Sequence, residues 1–141
     1  MSVIQGEGRS EPVDGNSLIF GGRPALTSIE LHQVGNAVEA TVTLALAGRV
    51  LTGSSAGDAE QATTIIADAT VAAVSSMIDG LVTVEAATII ELRGRRIAMS
   101  VVHVDSSEPH EILVGSALVR GDVEDAVARC VLSALNRRLT R

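Results

Sequence analysis

The chain has 141 residues, and 17 acidic against 11 basic side chains give it a formal net charge of −6 at pH 7. That balance, with 1% aromatic residues, excludes a phosphate-neutralising or base-stacking surface for nucleic acid, and a single cysteine excludes an intramolecular disulfide or a Cys-rich zinc site. With 46% hydrophobic residues and no apolar run long enough for a bilayer, the composition is that of one folded domain with no membrane span.

All the basic residues are arginine. Codon usage in a GC-rich bacterial genome accounts for that, but the absence of lysine also excludes Schiff-base chemistry and a P-loop lysine. Residues 1–24 are rich in Gly, Ser, Glu and Asp and read as a flexible leader. Within it, Ser17, Leu18, Ile19 and Phe20 form an apolar patch that either packs incidentally or adds to a neighbouring sheet or subunit. No apolar h-region follows Met1, and the free cysteine suits a reducing compartment, so a cytoplasmic location is expected.

The remainder, 25–141, reads as a single α+β domain written twice, with repeats at 26–80 and 81–141. The first copy opens Leu26-Thr27-Ser28-Ile29-Glu30 and the second Leu81-Val82-Thr83-Val84-Glu85. Each then passes through alternating apolar stretches separated by a Gly-containing turn, reaches a Gly-Ser pair, and arrives at Gly-Asp before a helical pattern. The landmarks are Gly53-Ser54 and Gly57-Asp58, then Gly115-Ser116 and Gly121-Asp122. Shared order of this kind marks an internal duplication, with insertions expected in loops, chiefly 105–110.

Period-two patterning predicts the strands. Val38, Ala40, Val42, Leu44 and Leu46 share one face, Ala47-Gly48 turns the chain, and a short third strand covers 49–54. In the second copy the strands fall at 82–92, 95–104 and 111–120, with Arg93-Gly94 as the first turn. Helical spacing places Ala62, Ile65, Ile66, Ala69, Ala73 and Met77 on one face of a first helix. Val123, Ala126, Val127, Cys130, Val131, Ala134 and Leu135 line a second, which ends in Arg137-Arg138 at the carbonyl end of its dipole. Asp58 with Gln61, and Asp122 with Asp125, have the spacing of N-caps. The predicted fold is therefore duplicated βββα: two antiparallel meanders, each followed by a helix packed on its sheet.

The stretch Thr52-Gly53-Ser54-Ser55-Ala56-Gly57-Asp58-Ala59, and residues 122–136 ending in Ala134-Leu135-Asn136, resemble the regulatory domain of α-isopropylmalate synthase, whose layout matches 26–139. In that family the domain follows a catalytic barrel, helps to form a dimer and binds leucine as feedback inhibitor between its halves. The resemblance implies a free-standing relative of that module. The family's turn tends to read Gly-x-Gly-x-x-Asp-Ala; here it reads Gly-Ser-Ser-Ala-Gly-Asp-Ala in the first copy and Gly-Asp-Val-Glu-Asp-Ala in the second.

Three groups of residues carry candidate chemistry. At the two Gly-Asp turns, helix N-termini offer N–H donors to an anion, so a small carboxylate-containing metabolite at the repeat interface would meet Gly53, Ser54, Gly57, Gly115, Ser116 and Gly121. Plain capping by Asp58 and Asp122 is the competing explanation. His103, Asp105 and His110 have metal-ligand donor types, though their surroundings also read as a solvated hairpin loop. Arg93, Arg95 and Arg96 flank Gly94 and could grip an acidic partner or phosphate. Cys130 lies on an apolar stripe and reads as a small buried hydrophobe.

No nucleophile elbow and no cofactor motif is present, so neither catalytic residues nor a cofactor are assigned. The predicted function is a non-enzymatic ligand-sensing or protein-interaction module. The first helix is small on nearly every face, which suits a sandwiched element and a core completed by homodimerisation. The alternative is a small metal-dependent enzyme using His103, Asp105 and His110.

Overall fold

The computed structural model describes residues 23–106 and 110–139. The expected leader lies outside them, apart from its last two residues, as does its apolar patch at 17–20. The described chain folds as two βββα units. The first comprises β1 (Ala25–Val34), β2 (Ala37–Leu46), β3 (Arg49–Asp58) and α1 (Ala62–Val74); the second comprises β4 (Leu81–Leu92), β5 (Arg95–Asp105), β6 (Glu111–Leu118) and α2 (Val123–Leu139). Each set of strands forms its own antiparallel sheet in sequential order.

Two-residue hairpins arise where the sequence supplies the required backbone. Ala47 and Gly48 both have positive φ, as do Arg93 and Gly94, which gives the turn whose twist matches that of paired strands. The first strand of each unit carries a bulge, between Leu26 and Ser28 in β1 and between Val84 and Ala86 in β4. An extra residue there bends the edge strand and re-aims a side chain.

The core follows the alternation of the middle strands. Val38, Ala40, Val42, Leu44 and Leu46 of β2, and Ala98, Val102 and Val104 of β5, are buried under the helices. Ser100 shares that buried face, and its hydroxyl donates to the Cys130 carbonyl at 3.2 Å. Among the strands, α1 contacts β2, β3 and β4, while α2 contacts β5, β6 and β1; the helices also pack on each other. Eight of the thirteen residues of α1 are buried: Ile65, Ile66, Ala67, Ala69, Thr70, Val71, Ala73 and Val74. They lie on more than one face, so α1 is enclosed as its small side chains predict.

Three boundaries differ from expectation by two residues or more. The third strand extends through Asp58, because Ser55, Ala56, Gly57 and Asp58 pair with Ala40, Glu39, Val38 and Ala37 of β2. Strand β6 ends at Leu118 rather than at residue 120. Met77 belongs to a 3₁₀ turn, Ser75–Met77, beyond the end of α1. No helix among the described residues is long and apolar enough to cross a membrane.

Candidate functional site

The two glycines of the Gly-Ser pairs occupy matching places. Gly53 pairs with Val42 and Gly115 with Ser100, each on the buried face of its sheet beneath its unit's helix. A Cβ on Gly53 would press into the backbone of Ala69 and Ala73 and stand 2.7 Å from the Ala72 carbonyl carbon. On Gly115 it would press into the Cys130 carbonyl and the Ala134 amide, 2.9 Å from the Ala134 Cα. Both glycines therefore serve close approach, as the sequence suggests, but what approaches is the domain's own helix.

The other members of that set separate from them. Ser54 lies on the opposite, outer face of β3, 3.1 Å from the Thr41 hydroxyl. Gly57 is a ladder residue opposite Val38, and Gly121 is exposed in the connection to α2. Asp58 acts as a cap, accepting the Glu60 amide at 2.9 Å, though on a short 3₁₀ turn (Ala59–Gln61) that precedes α1. Ser116 is exposed and borders a cavity of about 600 Å³ between the units, lined also by Leu26, Asp125, Arg129, Leu132 and Asn136. A second cavity of about 330 Å³ adjoins it, sharing Leu26 and Asp125 and adding Asp122 and Glu124.

Two of the three possible metal ligands come together. His103 Nδ1 lies 2.9 Å from His110 Nε2. The carboxylate beside His103 is Glu85, the extra residue of the β4 bulge, hydrogen-bonded to Nε2. Asp105 instead stands at the end of β5, opposite Leu81. Since Glu85 and His110 occupy the two ring nitrogens of His103, the groups form a hydrogen-bonded chain and not a convergent ligand set. Among the described residues no group of three or more His, Cys, Asp or Glu side chains could hold a metal ion. Nothing in the sequence marks residue 85 as a bulge, so period-two spacing alone does not bring Glu85 to His103.

Cys130 is fully buried, its thiol donating to the Val127 carbonyl, and burial pushes its pKa above the usual thiol value. The arginines at the β4–β5 hairpin gain a neighbour. Arg95, Arg96 and Arg120 border one cavity of about 570 Å³.

The outer faces of the two sheets differ most. That of the first sheet is polar at its centre, with Glu30, Glu39, Thr41, Thr43, Thr52 and Ser54. That of the second carries Ile90, Ile97, Met99, Val101, Ile112 and Val114, with Thr83, Thr88 and Ser116 among them. Ile112 and Val114 are 58% and 61% exposed. The chain matches no protein-family model and no curated protein.

Proposed function

We propose that this chain is a non-enzymatic association module, a homodimer built on a duplicated βββα domain and working in the cytoplasm. The observation that supports it is the contrast between the two outer sheet faces. Both are left uncovered by the helices, so exposure alone does not call for isoleucine, valine and methionine. The first sheet meets the same geometry with threonine, serine and glutamate. Three strands about 4.8 Å apart, with some eight residues each rising about 3.3 Å, make the whole outer face roughly 400 Å². Its six apolar side chains, set among Thr83, Thr88 and Ser116, fill much of it, as exposed patches at interaction sites commonly do.

A second copy is the favoured occupant because it brings an identical apolar face, which a two-fold contact makes self-complementary. The test is mass by light scattering at micromolar concentration, where a dimer is expected. Val114→Arg, at an exposed position, should shift the protein to monomer while circular dichroism still shows it folded, with a lower unfolding temperature as the stabilisation from association is lost. A monomeric wild type would sink the reading.

The cleft between the units favours a second, compatible activity. Its larger cavity holds Arg23, Asn136 and an Arg129 that is ion-paired with Asp125 at 2.7 Å, which leaves Arg23 as its positive group, and the adjoining one holds Asp122 and Glu124. Opposite charges at the two ends of one cleft suit a small carboxylate-containing metabolite that also carries an ammonium group, such as an amino acid. The resemblance to the regulatory domain of α-isopropylmalate synthase supports the same ligand class, at a cleft that takes in Ser116 and Asp122 of the second unit but none of the first unit's glycine turn.

A further inference from the structure

We infer that two copies stack through the outer faces of β4–β6 about a two-fold axis that crosses the strands, so that Arg95 of each copy meets Asp105 of the partner subunit. The inference rests on the association reading above and deepens it by assigning the orientation of the second copy. It follows from how charge is distributed along the apolar face.

The outward positions of β5, the middle strand, are Arg95, Ile97, Met99, Val101, His103 and Asp105. The apolar centre is thus bounded by a basic end and an acidic end. At the basic end, the β5–β6 register is continued by a bond from the Val119 amide to the Arg96 carbonyl, 2.9 Å. Arg120 therefore comes next to Arg95 across the strands, with Arg93 in the adjoining turn. Like charges side by side on neighbouring strands are unfavourable, and none of these three arginines is ion-paired among the described residues. At the acidic end stands Asp105, opposite Leu81, while Glu85 on β4 lies nearer the centre, between the rows of Val101 and Val102.

A two-fold axis lying between stacked sheets can run along the strands or across them. Along the strands, each arginine end would sit over the other arginine end, and each acidic end over the other acidic end. Across the strands, every basic end lies over an acidic one.

Arg95 and Asp105 are equally distant in sequence from Ser100, so an axis over Ser100 brings them together. The same operation sets Met99 against Val101 of the partner subunit. It also sets Leu92 against Leu81 of the partner subunit, covering two leucines that are 56% and 66% exposed in the single chain. Aligned sheet packing crosses at about 30°, and Arg93 and Arg120 flanking Arg95 keep a guanidinium near Asp105 of the partner subunit over that range of angles.

A charge-swap experiment tests this. Arg95→Glu and Asp105→Arg are surface changes, and circular dichroism should show both variants folded. Each variant alone should form a dimer with a dissociation constant raised about tenfold or more, because each would place like charges together twice. An equimolar mixture should restore association as a heterodimer, since both contacts then pair opposite charges. Dimerisation of each single variant as tight as that of wild type, or a mixture no tighter than the variants alone, would overturn the orientation and leave the association reading standing. A wild-type monomer would overturn both.

Discussion

Gly53 and Gly115 show how a residue can be noticed in a sequence for a sound reason and still be given the wrong neighbour. A missing Cβ says that something must come close. In this fold the helix backbone does, at Ala69 and Ala73 over Gly53 and at Cys130 and Ala134 over Gly115. Backbone cannot swing aside as a side-chain tip can. Gly53→Ala and Gly115→Ala should therefore each lower stability by about 3 kcal/mol, at the upper end of overpacking costs. Ser54→Ala and Ser116→Ala, at exposed positions, should stay within about 0.5 kcal/mol of wild type. Urea unfolding of the four variants checks this, and unchanged midpoints for the glycine variants would return them to the list of ligand contacts. The residue scale also marks the limit of spacing arguments. His103 and His110 were recognisable from their types, whereas Glu85 reaches His103 through a bulge that no period-two count reveals.

At the scale of elements, the hairpins and both helices are legible because they are written locally. Alternation in β2, the pairs Ala47-Gly48 and Arg93-Gly94, and the small residues of α1 each determine a local outcome. The end of β3 is different. Ser55, Ala56, Gly57 and Asp58 have the composition of a turn, yet β2 offers them a ladder as far as Ala37, and pairing overrides propensity. The enclosure of α1 has an energetic consequence for its one charged side chain, Asp68. Burial raises the Asp68 pKa above the usual 3.8. A folded-state pKa above the unfolded-state value means that the ionised carboxylate costs stability at neutral pH, and that the cost disappears as the pH falls through the folded-state pKa. Asp68→Asn should thus raise the unfolding midpoint at neutral pH, with the gain narrowing on acidification. Equal gains at neutral and acid pH would show that the carboxylate's charge is not the cause.

At the scale of the molecule, the order of landmarks in the sequence yields two similar units but is silent on how they meet. Their meeting depends on side-by-side helices, with α1 reaching β4 and α2 reaching β1, contacts between residues far apart in the chain. The cleft beside Leu26 and α2 is a product of that arrangement: Asp122 of the second Gly-Asp turn borders it, whereas the first Gly-Asp turn does not. A ligand held there touches both units at once: Arg23 and Leu26 on one side, Arg129, Leu132 and Asn136 on the other. Binding only the assembled state, it should stabilise the fold by about 2.7 kcal/mol at 100 times its dissociation constant. Leucine and related amino acids are the first probes in a thermal-shift series. Ser133→Trp, at an exposed position bordering the cavity, should fill the space and abolish the shift without altering the mass in solution. Gly121→Ala, where an added Cβ would meet open space, should leave the shift intact. The reverse pattern, with the shift lost in Gly121→Ala and kept in Ser133→Trp, would move the site back to the turn before α2.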